Sequence, residues 1–239
     1  MLRRPAFPFV TPARTAGLVD RLRPGDGHGG APDPYALERE RMVREQIERR
    51  GVRDAAVLRA MRQVPRHLFV PAPSVAEAYE DSPLPIGHGQ TISQPYIVAL
   101  MTELARPGPG EVALEIGTGC GYQTAILARL LGRVYSIELV EDLAREADAR
   151  LNALGYHNVT VRAGDGRGGW PEHAPFDVII AAAAPETVPP ALVEQLAANG
   201  RLIIPAGPTH DQSLLRIVKH ESGDTRTEVA AAVRFVPML

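Results

Sequence analysis

The chain holds a single cysteine, Cys120, in 239 residues. One thiol excludes an internal disulfide and any multi-cysteine metal site, and no metal is expected. Long apolar runs are missing too, so nothing approaches the roughly 20 residues that span a bilayer. Neither sign of charge prevails: 26 Lys and Arg stand against 28 Asp and Glu, for a formal net charge of −2. That balance gives no general attraction to nucleic acid or an anionic membrane, and neither is expected as a partner. What remains is ordinary for a soluble globular protein, with a length that fits one α/β domain plus an extension.

The extension is compositionally distinct. Met1–Pro34 carries six prolines and five glycines. Such a segment buries too little apolar surface to offset its ordering entropy, so residues 1–34 are expected to be a disordered tail. Arg3-Arg4 before the short run 6–10 faintly imitates a leader, but Pro5 and Pro8 interrupt it and no cleavage site follows. Met42 is an alternative start, and a cytoplasmic location is expected.

The most informative stretch is Glu115-Ile-Gly-Thr-Gly-Cys-Gly-Tyr122. An apolar β-branched run leads into three glycines, and an apolar-periodic segment follows: strand, tight turn, helix. Glycines there let the backbone pass close to a ligand. A second strand-like run, Val134–Glu138, ends in an acid 19 residues past Gly119. That spacing suits a carboxylate gripping the two hydroxyls of a ribose. A dinucleotide fingerprint would need glycine where Tyr122 stands, and no Lys or Arg lies between Ala113 and Ala128 to meet a pyrophosphate. S-adenosylmethionine suits the pattern better, with its ribose at Glu138 and its zwitterionic tail beside Glu115. The glycines expected to face it are Gly117, Gly119 and Gly121. Asp165 and Gly166, in the tripeptide Gly164-Asp165-Gly166 after a third strand, are expected to meet the adenine; turn capping by Asp165 is the competing role. Cys120, inside the turn with no His close in sequence, reads as a small pocket-lining side chain rather than a nucleophile.

Around this core, Tyr35–Arg50 reads as a helix whose apolar face holds Leu37, Met42, Val43 and Ile47, stopped by Gly51. Asp54 caps a second helix running to Val64. Ser82–Thr91, rich in Pro and Gly, reads as an ordered loop, and Pro95 opens a third helix, Tyr96–Leu104. Strands are expected at Glu111–Ile116, Arg133–Leu139, Val159–Ala163, Phe176–Ala182 and Gly200–Pro205. Helices alternate with them at Gly121–Leu131, Glu141–Leu154 and Pro190–Ala198. Alternation builds a doubly wound α/β fold, a mostly parallel Rossmann-like sheet of seven strands. Its last two strands, Ser213–His220 and Glu228–Phe235, form an antiparallel hairpin. Residues 35–239 then make a single domain, with an N-terminal helical and substrate-loop part (35–106) and a cofactor-binding core (107–239).

The fourth core strand ends in Ala181-Ala-Ala-Ala184. Enzymes that methylate exocyclic amines resemble one another in placing Asn or Asp before a Pro-Pro-aromatic run here, and no such group is present. An apolar wall suits an acceptor that is already an anion, such as a carboxylate, which needs no general base. Gly89-Gln-Thr-Ile-Ser-Gln-Pro95 offers groups to hold it: the Thr91 and Ser93 hydroxyls and the Gln90 and Gln94 amides. A helix cap is the competing role for Ser93.

With these residues in view, the chain resembles the protein-L-isoaspartate O-methyltransferase family. The resemblance is carried by Arg41–Ile47, Val64–Phe69, Tyr79–Gly87, Gly89–Pro95, Leu114–Thr124, Gly164–Gly166 and Val233–Pro237. It runs from about Arg41 to Leu239, in family order. It implies methyl transfer from S-adenosylmethionine to the stray carboxylate of L-isoaspartyl residues in damaged peptides and proteins, followed by succinimide formation and partial return to aspartate. It places Ser93 at the active-site serine position. Thr91 and Gln94, read from their own groups, are expected on the substrate side, and a monomer is expected. Cys120 departs from the usual Ser or Thr, and His88 interrupts Gly87-x-Gly89. The rival readings are a methyltransferase for RNA or a small molecule, and a module that binds isoaspartyl ends without methylating them.

Overall fold

The computed structural model describes residues 33–238. The expectation for the tail, apart from Asp33 and Pro34, therefore falls outside the described residues. The Asp33 carboxylate accepts from the Tyr35 N–H at 2.9 Å and pairs with Arg39 at 2.6 Å. Helix α1, Ala36–Arg41, runs on as a wide π-type turn over Met42–Ile47 and a 3₁₀ turn over Glu48–Arg50. Met42, Val43 and Ile47 are buried, whereas Leu37 is 84% exposed, contrary to expectation. Arg39, most of its side chain buried, takes the inward position of the first turn. It shares the 3.6-residue stripe with Met42 and Val43, and Leu37 falls off that stripe. Gly51, at φ 103°, ends the element, and α2 (Ala55–Gln63) begins at Asp54. The Asp54 carboxylate accepts from the N–H groups of Ala56 and Val57 at 2.8 and 3.0 Å, a cap typically worth about 1 kcal/mol.

The expected loop after Ser82 is in fact a small hairpin. β1 (Leu84–Gly87) pairs antiparallel with β2 (Gln90–Ile92). Gly87, His88 and Gly89 all turn through the left-handed region. Leu84 and Ile86 are buried while Pro85 and Gly87 are exposed, a two-residue period hidden by the Pro and Gly content. Helix α3, Pro95–Ala105, follows directly and starts on its proline.

The core is β3 (Val112–Ile116), α4 (Tyr122–Ala128), β4 (Arg133–Glu138), α5 (Glu141–Ala153) and β5 (Val159–Ala163), then β6 (Phe176–Ala181), α6 (Pro190–Glu194) and β7 (Leu196–Ala206). β8 (Gln212–Lys219) and β9 (Thr225–Val233) form the closing hairpin. The seven-stranded order is β5-β4-β3-β6-β7-β8-β9, parallel through β7 and antiparallel beyond. Leu114, Ile137 and Ile179 pack with Trp170, Phe176 and Leu192 on one face. Ala113, Val134 and Val178 pack with Met101 and Leu127 on the other. Burial on both faces is why these strands read as continuous apolar runs rather than alternating ones. β7 starts at Leu196 rather than Gly200 because Leu196 already pairs with Phe176, and this cuts the helix expected to Ala198 back to Glu194. No helix among the described residues is long and apolar enough to cross a membrane.

Strand order reverses at β3. β4 and β5 lie to one side and β6 and β7 to the other, so a crevice opens beyond the carboxyl ends of β3 and β6. Arg201 on β7 braces the opposite end of the sheet. It donates to both Glu111 carboxylate oxygens (2.9 and 2.8 Å) and to the carbonyls of Ala105 and Arg106. Burial pushes the Glu111 pKa up, but Arg201 and the Gly108 N–H outweigh it and leave the pKa below the usual value. A depressed carboxylate pKa contributes stability above its unfolded value, and that stability is lost as pH falls through the folded one. Arg201→Met is expected to lower unfolding free energy by roughly 2–4 kcal/mol in urea titration at neutral pH. The variant should also show less further loss than the parent chain between about pH 5 and 3.

Candidate functional site

The crevice holds three connected spaces. A cleft of about 900 Å³ is lined by Thr91, Ser93, Gln94, Tyr96 and the chain from Ala231 to Val236. A narrower pocket of about 130 Å³ is lined by Gly117, Gly119, Glu138, Leu139 and Gly166. A recess of about 40 Å³ lies under Ser93 and the glycine turn. Thr91 and Ala182 line all three, so the spaces meet between these two side chains.

Glu138 ends β4 at the mouth of the narrower pocket. Its carboxylate accepts from the Gly119 N–H at 2.8 Å and the Val140 N–H at 3.0 Å, which fixes the glycine turn against the strand tip. Each oxygen keeps a further lone pair for a hydroxyl donor. Beside it Leu139 is 49% exposed, a flat apolar surface at the pocket wall. Gly166 closes the far side; a Cβ there would sit 2.3 Å from Ile116 Cγ2, so only glycine fits.

Three of the expected residues stand elsewhere. Gly121 does not line the pocket. It turns at φ 88°, and a Cβ there would lie 3.2 Å from Leu151 Cδ1, so its smallness lets α4 pack on α5. Asp165 lies outside the pocket lining, at its edge in sequence beside Gly166. Its exposed carboxylate pairs with Arg167 at 2.7 Å and accepts from the Arg167 N–H at 2.9 Å, the turn-capping role. Arg167 holds its pKa below the usual value. Glu115, expected beside the cofactor tail, is fully buried beneath the turn. Its Oε2 accepts from the Thr124 hydroxyl and from the Ser136 hydroxyl at 2.6 Å, and Ser136 also shares a hydrogen bond with Thr118 in the turn. Its Oε1 has no partner among the described residues. Alternation along β3 explains this, since Glu115 and Ala113 face α4 while Leu114 and Ile116 face the other layer.

On the cleft side, Gln94 occupies the cap position of α3 and no side chain caps that helix. The Gln94 amide donates instead to the Asp81 carbonyl at 2.9 Å. The Ser93 hydroxyl makes no hydrogen bond among the described residues and borders both the cleft and the recess, so it does not cap α3. Below the turn, Arg66 is fully buried; its Nε donates to the Ala78 carbonyl at 2.8 Å, anchoring the chain that enters β1.

Sequence reasoning gave no role to Arg50, Leu139 or Arg234, and it placed Ala182 only in an apolar wall, not at the junction of the three spaces. It used the Val233–Pro237 run only as a family signature. The structure brings that run across the crevice: the Ala184 N–H donates to the Val236 carbonyl at 2.8 Å, and the Met238 N–H to the Ala184 carbonyl at 2.9 Å. The signal available was an apolar terminal segment after the last strand, too long for the hairpin alone.

Burial raises the Glu115 pKa to about 7, against the hydroxyl bonds that favour its charge. The folded state then holds a proton that the unfolded state has released, so this group's contribution falls as pH rises from about 4.5 to 7. Glu115→Gln should remove that slope, leaving the variant more stable relative to the parent at pH 8 than at pH 5. The difference should approach roughly 3 kcal/mol by thermal or urea unfolding.

Comparison with known proteins agrees with this geometry. The family model described as protein-L-isoaspartate(D-aspartate) O-methyltransferase matches residues 37–239. A protein-L-isoaspartate O-methyltransferase from Synechococcus sp. is 55% identical over 216 residues, covering 87% of this chain and 88% of its own length. One from Opitutus terrae is 52% identical over 225 residues, covering 94% and 97%. A solved protein-L-isoaspartate O-methyltransferase aligns with a TM-score of 0.76 at 30% identity; the match covers 83% of this chain and 65% of that longer one. A Plasmodium falciparum structure described as a protein-L-isoaspartate O-methyltransferase, in complex with S-adenosyl-L-homocysteine, aligns with a TM-score of 0.74 at 27% identity, covering 84% and 98%. The chain belongs to the protein-L-isoaspartate(D-aspartate) O-methyltransferase family.

Proposed function

We propose that this chain transfers a methyl group from S-adenosylmethionine to the free α-carboxylate of L-isoaspartyl residues in damaged peptides and proteins. The observation that carries the reading is the meeting of the two larger spaces at Thr91 and Ala182, beside a Ser93 hydroxyl that makes no hydrogen bond among the described residues. A nucleoside cofactor suits the narrower pocket: a carboxylate with spare acceptor capacity, an exposed Leu139, and a floor of Gly117, Gly119 and Gly166 that leaves room for a ligand. When bound, S-adenosylmethionine supplies a methyl group on a sulfonium.

The protein's own residues do the rest. Glu138 accepts the two ribose hydroxyls while keeping its backbone donors. Leu139 faces the adenine, and Asp165 accepts its amino group by giving up part of its pairing with Arg167. Glu115 acts from beneath, holding Thr124 and Ser136 so that the turn keeps its shape. Gly121 sets the helix angle that the turn requires. In the cleft, Ser93 and Thr91 donate hydroxyl hydrogens to the substrate carboxylate, and Gln94 steadies the loop that carries them.

No base is needed. The acceptor carboxylate is ionised at neutral pH, and among the described residues no carboxylate or histidine lines the large cleft. Rate enhancement comes from alignment, which supplies up to roughly 7–11 kcal/mol. Exchange of water for fixed dipoles and the alanine wall at Ala182 adds to it.

Paired peptides differing only in isoaspartyl or normal aspartyl linkage test the reading. Base-labile methyl ester on the isoaspartyl peptide alone is expected; ester on both, or on neither, would overturn it. Glu138→Ala should raise the cofactor KM at least tenfold while the peptide KM stays within about twofold, in line with losing a hydroxyl pair bound to a charge. Ser93→Ala should lower kcat by about tenfold to a hundredfold with cofactor affinity intact. An unchanged kcat would remove Ser93 from the reaction.

A further inference from the structure

The large cleft is far bigger than one isoaspartyl residue needs, and its charge is one-sided. Among the described residues its only charged lining groups are Arg50 and Arg234, in a chain whose formal net charge is −2. Arg234 lies just past β9, exposed, and makes no ion pair or side-chain hydrogen bond among the described residues. The guanidinium of Arg50 stacks 3.5 Å above the Tyr96 ring and gives Nη1 to Asp81 at 2.8 Å. That leaves Nε and Nη2 without an acceptor among the described residues, and the stacking holds the fork in place. Asp81 offsets part of the Arg50 charge, so among the described lining residues Arg234 is the less compensated cation. The methyl-accepting carboxylate belongs at Ser93 and Thr91, so it does not account for either arginine.

We infer that Arg234, assisted by Arg50, selects isoaspartyl substrates that carry a second carboxylate on a residue flanking the damaged one. The inference rests on the function proposed above and names a substrate class within it. A flanking Glu or Asp lying along Ala231–Arg234 meets a guanidinium that has no competing carboxylate. A flanking Lys meets two like charges in the same cleft. The preference is electrostatic and partly exposed, so it weakens as salt screens it.

A peptide series tests this: one isoaspartyl residue, with Glu, Gln or Lys placed in turn at each of the two positions on either side. At low ionic strength the Glu peptide is expected to exceed its Gln counterpart in kcat/KM by about threefold to fivefold at one or more positions, the Lys peptide falling below both. The advantage should shrink in 0.5 M salt. In Arg234→Gln the Glu-to-Gln ratio should collapse toward one, and in Arg234→Glu the order should invert in favour of Lys. Because these are ratios within one variant, a general loss of activity does not imitate them; thermal unfolding of each variant checks its fold. Equal kcat/KM across the series, or a preference that survives Arg234→Glu, overturns the inference while leaving isoaspartyl methylation intact. Methylation of no isoaspartyl peptide overturns the proposed function, and this inference with it.

Discussion

A carboxyl group with no access to water organises the cofactor half of this protein. Glu115 lies at the centre of the sheet, and its Oε2 collects hydroxyl donors from α4 and β4. Through Ser136 the same network reaches Thr118 in the glycine turn. One group thus ties β3, β4, α4 and the turn to each other. Burying such a group is unfavourable, and the unpartnered Oε1 adds to the cost. What the arrangement yields is a turn whose shape is set before any ligand arrives. Arg66 works comparably below the neighbouring loop. Its buried guanidinium lies 5.0 Å from the Tyr122 ring centroid and holds the Ala78 carbonyl, with one nitrogen left unpaired.

These two buried groups explain how flexible-looking segments become a rigid site. The glycine turn is fixed from below by Glu115 and from the side by Glu138. The chain entering the β1–β2 hairpin is fixed by Arg66, and Gln94 tethers the segment before α3 to Asp81. Val236–Met238 completes the rim by bonding to Ala184. Methyl transfer between two bound partners depends on alignment more than on acid–base chemistry. A frame that holds both pockets to a shared boundary at Thr91 and Ala182 is what such a reaction requires.

Much of this frame was legible in the residues. The parallel core announced itself through apolar runs bounded by glycine turns, and helix starts at Asp54 and Pro95 followed from local chemistry alone. The β1–β2 hairpin was not legible, because Pro83, Pro85, Gly87 and Gly89 mask a ladder only three pairs long. Leu37 misled because a spacing rule cannot tell which stripe of a short helix the fold will bury, and Arg39 took the inward place. Glu115 and Asp165 lay at the right points of the chain, but composition does not say which way a strand residue faces. Nor does it say that an acid after a strand also pairs with its own neighbour, as Asp165 does with Arg167. Arg234 was invisible for another reason: its place in the cleft comes from the crossing of segments far apart in sequence.

Cys120 carries a consequence of its own. The only thiol in the chain is buried within the glycine turn, with its pKa pushed up by burial. It therefore stays protonated and shielded, a poor target for peroxide or disulfide exchange. No step assigned to this site uses the thiol, so a reducing partner has nothing to keep active here.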